Sequence, residues 1–140
     1  MSSPNEQNKL AWDRFAAENY PLARPAGEKE IKNPSFITNP WGWIGHDIKG
    51  KRVLCLAAGG GKHSLLFALA GAETTVVDIS PGMLELDRQY AKERGLKVRI
   101  IEGSMDSLPM LDTAEFDVVI QPVSTCYVPD IIAVYREAAR

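Results

Sequence analysis

Residues 53–64 read VLCLAAGGGKHS: an apolar run, three consecutive glycines at 59–61, then Lys62, His63 and Ser64. Glycines directly after a strand let backbone come close to a ligand, because no Cβ stands in the way. Three ligand chemistries compete for the pattern. A nucleoside-triphosphate loop needs Lys followed directly by Ser or Thr, so that the ammonium reaches phosphate and the hydroxyl reaches magnesium. Here His63 separates Lys62 from Ser64 and the opening glycine is missing, which sets that reading aside. The dinucleotide fingerprint G-x-G-x-x-G can be laid on Gly59, Gly61 and Ser64, failing only at its third glycine. Asp78, nineteen residues after Gly59, is placed to accept hydrogen bonds from vicinal ribose hydroxyls. That carboxylate suits any cofactor with a ribose and does not choose among them. The two histidines, His46 and His63, are far apart with no cysteine close by, so no metal site is expected.

Such a turn must be held by a strand before it and a helix after it, and the flanking patterns supply both. KRVLCLAA (51–58) reads as a buried strand, and residues 62–70 as an apolar helix that Gly71 closes. ETTVVDI is a second strand. In SPGMLELDRQYAKERG, Ser80 is an N-cap, Pro81 takes the first helical position, Met83, Leu86 and Tyr90 share a face, and Gly95 ends the helix. LKVRIIEG is a third strand, SMDSLPMLDTAE a loop and FDVVIQPV a fourth strand. PDIIAVYREAAR is a last helix, opened by Pro129, with apolar spacing at Ile131, Val134, Tyr135 and Ala138. The order implies an α/β fold: a parallel sheet with right-handed crossovers and helices on both faces.

Upstream, NKLAWDRFAAEN places Leu10, Trp12, Phe15 and Ala16 on one helical face and stops near Asn19, before Pro21. Residues 21–40 carry four prolines and no sustained period, and read as an irregular connector. The chain therefore divides into a lead-in helix and connector at 1–50 and a Rossmann-like domain at 51–140. It ends at Arg140 with no following strand, which suggests a domain cut short.

A composition of 45% apolar and 24% charged residues is that of a soluble globular protein, and a net charge of −2 gives no basic field for nucleic acid. No apolar run approaches the ~20 residues of a bilayer span, and no signal segment opens the chain, so a cytoplasmic protein is expected. Cys55 and Cys126 lie in apolar segments and read as buried thiols, without a disulfide.

In their order and spacing, VLCLAAGGG, VVDISPGMLELDRQYA, VRIIEGSMDSLP, FDVVI and VPDIIAVYREAAR resemble the class I S-adenosylmethionine-dependent methyltransferases. The lead-in AWDRFAAENY is similar to that of the small-molecule, quinone-biosynthesis branch, where such a helix covers the cofactor. The resemblance implies a Rossmann-like sheet in the order 3-2-1-4, lacking the family's last three strands, with the cofactor at the carboxyl ends of strands 1 and 2. It implies S-adenosyl-L-methionine as cofactor, S-adenosyl-L-homocysteine as product and methyl transfer to a small-molecule acceptor. A fourth strand left without its usual neighbour would be an edge open to self-association.

Residue by residue, the family pattern sets Gly59 and Gly61 against the methionine portion of the cofactor, with Ala57 where a first glycine usually stands. Asp78 would hold the ribose and Ile79 pack on adenine. Ser104 stands where an aspartate is usual and Cys55 where an acid is usual, with Asp106 as a substitute for the missing carboxylate. Met105 would meet the adenine edge through its backbone N–H. Gln121 to Tyr127 would line the place where donor and acceptor meet, and Tyr20 would close on the cofactor from the lead-in segment. His63 is either a histidine of the N-terminal helical turn or a contact to the cofactor carboxylate, and Lys62 faces solvent. Trp12, Trp41 and Trp43 are expected to pack in the core or the lid. No residue declares itself a general base. The rivals are a nicotinamide-dependent oxidoreductase, and a cofactor-binding fragment without turnover.

Overall fold

The computed structural model describes residues 1–45 and 47–140; His46, read from the sequence as a solvated or locally hydrogen-bonded residue, lies outside the described residues. Four parallel strands, β1 (Arg52–Leu56), β2 (Glu73–Asp78), β3 (Val98–Glu102) and β4 (Val118–Ile120), form one sheet in the order β3-β2-β1-β4. This is the expected order. β4 is shorter than the 116–123 read from the sequence. Its pairing with β1 runs only from Val53↔Val118 to Cys55↔Ile120, and Pro122, which has no N–H, cannot extend the ladder.

The helices α4 (His63–Leu69) and α5 (Pro81–Glu93) follow β1 and β2 on one face of the sheet, over Val53, Cys55, Phe67, Val76 and Leu84. The loop after β3 and α6 (Ile131–Ala139) cover the other, over Leu54, Leu56, Val77, Leu108 and Val134. α5 begins as its sequence dictates: the Ser80 hydroxyl accepts from the Met83 N–H at 3.0 Å, and Pro81 holds the first position. Its buried face is Met83, Leu84, Asp87 and Ala91, with Leu86 and Tyr90 only half-buried, so the helix is rotated from the expected stripe. α6 is capped by Asp130 rather than opened by Pro129: its side chain accepts from the N–H of Ile132 at 2.9 Å.

The lead-in helix α1 (Pro4–Ala17) starts earlier than expected, behind a capping box in which Ser3 accepts from the Glu6 N–H and Glu6 from the Ser3 N–H. Of the expected face, Trp12, Phe15 and Ala16 are half-buried and Leu10 is not, and polar residues share the inner side. Leu10 is 67% exposed, whereas Asn5, Asn8, Lys9, Trp12 and Asp13 turn toward the domain. The connector holds a 3-10 turn at Pro21–Ala23 and two short helices, α2 (Glu28–Lys32) and α3 (Ser35–Thr38), where an irregular segment was expected. Here local capping, such as Glu30 accepting from the Gly27 N–H at 2.8 Å, replaces hydrophobic periodicity. The connector has no core of its own; Ala26, Ile31 and Ile37 pack on Leu65 and Leu66 of α4. Two further expectations fail. Cys55 is buried but Cys126 is exposed, and Trp41 and Trp43 stack on each other in solvent, with ring centroids 4.9 Å apart.

Candidate functional site

The glycines form a tight turn between β1 and α4 at the carboxyl end of the sheet, and each backbone N–H is engaged by a carboxylate of the protein. Gly59 donates to Asp78 Oδ2 at 2.9 Å. Gly60 donates to Asp87 Oδ2 at 2.8 Å and Gly61 to Asp87 Oδ1 at 3.0 Å. The Ser64 hydroxyl also donates to Asp87 Oδ1. Crowding explains the residue type. A Cβ on Gly59 would lie 2.9 Å from Asp78 Oδ2 and from Met83 Cβ, and Gly60 has a φ of +114°. Ala57, just before, sits at φ +46°, a left-handed conformation that glycine would adopt without cost.

Beside the turn lies a cavity of about 340 Å³, built at the carboxyl ends of β1 and β2. Its floor is Ala57, Gly59, Asp78, Ile79, Ser104 and Met105, six of the ten cofactor residues named from the sequence. α1 closes one side with Asn5, Asn8 and Trp12, and the segment after β4 closes another with Pro122, Val123, Ser124 and Tyr127. Arg24, Lys62 and His63 also line it, so Lys62 is not simply solvent-facing; its ammonium lies 3.3 Å from Glu30 Oε1.

The other four residues lie elsewhere. Gly61 is buried against Leu86 and Tyr90 of α5, on the far side of the turn from the ligand space. Asp106 accepts from the Ser104 hydroxyl and is not part of the lining, so it reaches the cavity only through Ser104. Gln121 donates to the Met105 sulfur at 3.2 Å and stands behind it. Tyr20 stacks on Phe15 at 4.5 Å, 43% exposed, outside the lining. Tyr127 does line the cavity, edge-on to Trp12 at 5.8 Å, and its carbonyl accepts from Asn8 at 2.9 Å.

A larger groove, about 630 Å³, lies at the amino ends of the strands between Arg52, Arg88 and Arg99. It contains neither the glycine turn nor Asp78, and parallel α/β sheets bind at the opposite, carboxyl end. The smaller cavity is therefore the candidate site.

Its electrostatics are set by burial. Asp78 is pushed up by burial, against the downward pull of the Ser80, Gly59 and Ile79 N–H groups. Asp87, 1% exposed, is pushed up to about 7 by burial, opposed by Ser64 and the two glycine amides. His63 is pushed down to about 4 by burial and by Lys62, which leaves it neutral at pH 7. Cys55 is wholly buried and its thiol pushed up, so it is no stand-in for an acid. Among the described residues no cluster of three or more metal-ligating side chains occurs, and no helix is long and apolar enough to cross a membrane.

Sequence reading missed two carboxylates. Asp13 of α1 accepts from the Ser80 hydroxyl at 2.6 Å and the Gly82 N–H at 2.9 Å, pinning the lead-in helix to the start of α5. Asp87 had a visible signal: a lone carboxylate on the stripe formed by Met83, Leu84 and Ala91. Asp13 had none, because its neighbours on that face are polar.

A family model for a methyltransferase domain matches residues 53–140. Over its whole length the chain is 43% identical to an uncharacterized methyltransferase, YbaJ, of Bacillus subtilis, and covers 58% of that protein. It is 34% identical to a ubiquinone biosynthesis O-methyltransferase of Bordetella pertussis over 80% of this chain and 48% of the relative. The chain thus spans about half the length of the curated relatives it matches. The fold is similar to that of phosphoethanolamine N-methyltransferase 1 of Haemonchus contortus: TM-score 0.75, 17% identity, all of this chain and 30% of that one. It is also similar to magnesium protoporphyrin IX methyltransferase of Synechocystis: TM-score 0.68, 16% identity, 95% of this chain and 68% of that one.

Proposed function

The chain belongs to the class I S-adenosylmethionine-dependent methyltransferases, and from that premise we propose that it holds S-adenosylmethionine over the glycine turn and passes the methyl group to a small-molecule acceptor. One observation carries the choice of cofactor. The N–H groups of Gly59, Gly60 and Gly61 are all engaged by Asp78 and Asp87. A pyrophosphate or triphosphate would need those donors for itself, and two buried carboxylates beneath the turn would repel it. A cofactor that carries a sulfonium and an ammonium needs neither. The same observation disfavours the nicotinamide reading.

The cavity fits such a group. The bare Gly59 backbone permits close approach, because any Cβ there would strike Asp78. Asp78 accepts one N–H on each oxygen, from Ser80 and Gly59, and an ionised carboxylate keeps further lone pairs for ribose hydroxyls. Ile79 and Met105 offer apolar surface for adenine, and Ser104 a hydroxyl at its edge. Arg24 and Lys62 supply positive charge for a carboxylate, with neutral His63 as a hydrogen-bond partner. Bound there, S-adenosylmethionine would supply an electrophilic methyl group and leave as S-adenosylhomocysteine.

The acceptor side is lined by uncharged groups: Asn5, Asn8, Trp12, Pro122, Val123, Ser124 and Tyr127. With no carboxylate or imidazole among the described residues of that wall, the protein's contribution is to hold and align a small acceptor that is already nucleophilic. Self-association belongs to the same reading, since β4 pairs on one side only and Ile132 and Tyr135 stand more than half exposed. Light scattering that gives a monomer at high concentration would remove it.

The test of the cofactor is calorimetric titration of the chain with S-adenosylmethionine, S-adenosylhomocysteine and NADH, with Asp78→Ala beside it. Saturable binding of the two sulfur nucleosides, lost in the variant, is expected. Binding of NADH instead, or of none of the three by folded protein, would overturn the reading.

A further inference from the structure

Asp87 is the most completely buried charged side chain at the site, and no cofactor atom is needed to explain what it does. It lies on the inner face of α5 at 1% exposure, behind the glycine turn rather than in the cavity. Its two oxygens are divided: Oδ2 takes the Gly60 N–H, while Oδ1 takes the Gly61 N–H and the Ser64 hydroxyl. Through these contacts α5 fixes both the turn and the first residues of α4. We infer that Asp87 is a positioning residue for cofactor binding: its carboxylate holds the Gly60–Gly61 backbone from behind, and so fixes the lining residues on either side of it, Gly59 before and Lys62 and His63 after. The inference rests on the cofactor reading above.

The turn has other backbone anchors, the Met83 carbonyl for the Gly60 N–H and the Ala26 N–H for the Gly61 carbonyl, each at 3.1 Å, but Asp87 is the acceptor that ties the two glycine amides together. Gly60 adopts φ +114° and Gly61 φ +75°, conformations that glycine permits but does not prefer over its many others. Without Asp87 the buried Gly61 N–H would be left unpaired and the Gly60 N–H would keep only the Met83 carbonyl, at 3.1 Å, so the chain would turn to satisfy the lost bond. Satisfying it from the ligand side would turn a donor into the cavity and alter its lining. A carboxylate is the one acidic side-chain group whose two oxygens can receive donors from adjacent amides at once. An asparagine has the same shape but a single oxygen. Whichever way its amide is turned, an NH2 group faces either the Gly60 or the Gly61 N–H, and one donor opposes another.

Asp87→Asn therefore separates positioning from packing. Volume and burial are retained, so a residue that merely fills space should tolerate the change. The expected result is a cofactor affinity, measured by titration with S-adenosylhomocysteine, that is at least tenfold weaker in protein that remains folded. Ser64→Ala, which leaves both glycine amides on the carboxylate, should cost only a few-fold. Equal affinity in wild type and Asp87→Asn, or a larger loss in Ser64→Ala, would overturn the inference while leaving the cofactor reading intact. Failure of the wild type itself to bind would overturn both.

Should Asp87→Asn fail to fold, the wild-type chain alone still decides. In hydrogen exchange followed by NMR without cofactor, the Gly61 amide, whose acceptor is Asp87, should be strongly protected although it lies in a turn. Exchange at Gly61 as fast as at Gly42 and Gly45, whose amides make backbone bonds at the exposed surface, would mean that Asp87 does not hold it.

Discussion

The floor and the roof of the cavity are built on opposite principles. The floor, β1 to α4 and β2 to α5, rests on fully buried apolar side chains and on two carboxylates whose hydrogen bonds lie inside the domain. The roof, α1, has no buried residue at all and docks through polar contacts: Asn5 to Ser104, Asn8 to the Tyr127 carbonyl, Lys9 to Glu102 and Asp13 to Ser80 and Gly82. Removing a buried partner leaves a desolvated group unpaired, whereas water replaces an exposed one. The floor should therefore behave as a rigid template and the roof as a cover that opens at low cost.

The largest expected effect falls on the floor. Asp78→Ala removes the ribose acceptor and strands the Gly59 and Ser80 N–H groups, which should weaken S-adenosylhomocysteine binding by about a hundredfold, or ~3 kcal/mol. A change of less than fivefold would place the ribose elsewhere. Next comes Gly60→Ala. The residue must keep φ +114°, which strains any side chain, while Met83 Cε, 2.8 Å from an added Cβ, is a chain end that can shift, so a loss of about 2 kcal/mol in denaturant unfolding is expected from the backbone. A neutral result would show the turn to be softer than the comparison requires.

On the roof, Asp13→Ala is the sharpest cut. It removes two acceptor contacts to the start of α5 but leaves the Ser80 cap on Met83 in place. Global stability should fall by only about 1 kcal/mol, while limited proteolysis within residues 1–20 accelerates markedly. Unchanged cleavage would mean that α1 is held by something other than these polar contacts.

The same contrast explains what could be read from the sequence. Strands, α4 and α5 were legible because apolar periodicity, Ser80, Pro81 and Gly71 all record burial or backbone geometry locally, whereas the sheet order came from the resemblance to the methyltransferases. Gly59 was legible because backbone must approach a ligand there, and Asp78 because a carboxylate at a strand end suits ribose hydroxyls; the lining residues after β3, Ser104 and Met105, came from the resemblance. The roof was read only in part: apolar spacing found Trp12, Phe15 and Ala16, which are half-buried, but it also selected Leu10, which points outward, and passed over Asn5, Asn8 and Asp13 on the inner side. Asp106 and Gln121 were assigned to the ligand by position along the chain, but position alone cannot say whether a side chain turns to the cavity or to its neighbour. Asp106 turns to Ser104, and Gln121 to Met105.

His63 gives the smallest effect, and one that can be read without any acceptor. It lines the cavity beside Lys62, and burial first, then that ammonium, hold it neutral down to about pH 4. An unfolded histidine takes up its proton near pH 6.5. Between those values the unfolded chain binds more protons than the native one, so this residue's contribution favours folding at pH 7 and is lost as the pH falls from 6.5 toward 4. Asp87 opposes it over nearly the same range. Raised to about 7, it makes the native state bind more protons than the unfolded one and lowers stability as pH rises. The two slopes partly cancel in the wild type. His63→Gln removes one of them, so the stability difference, wild type minus variant, should decline steadily from pH 6.5 to 4.5 in denaturant unfolding. A flat difference would mean that the imidazole is solvated and belongs to the open side of the cavity. Saturating S-adenosylhomocysteine sharpens the test. If its carboxylate seats beside Lys62 and His63, the native imidazole becomes easier to protonate, and the decline should flatten.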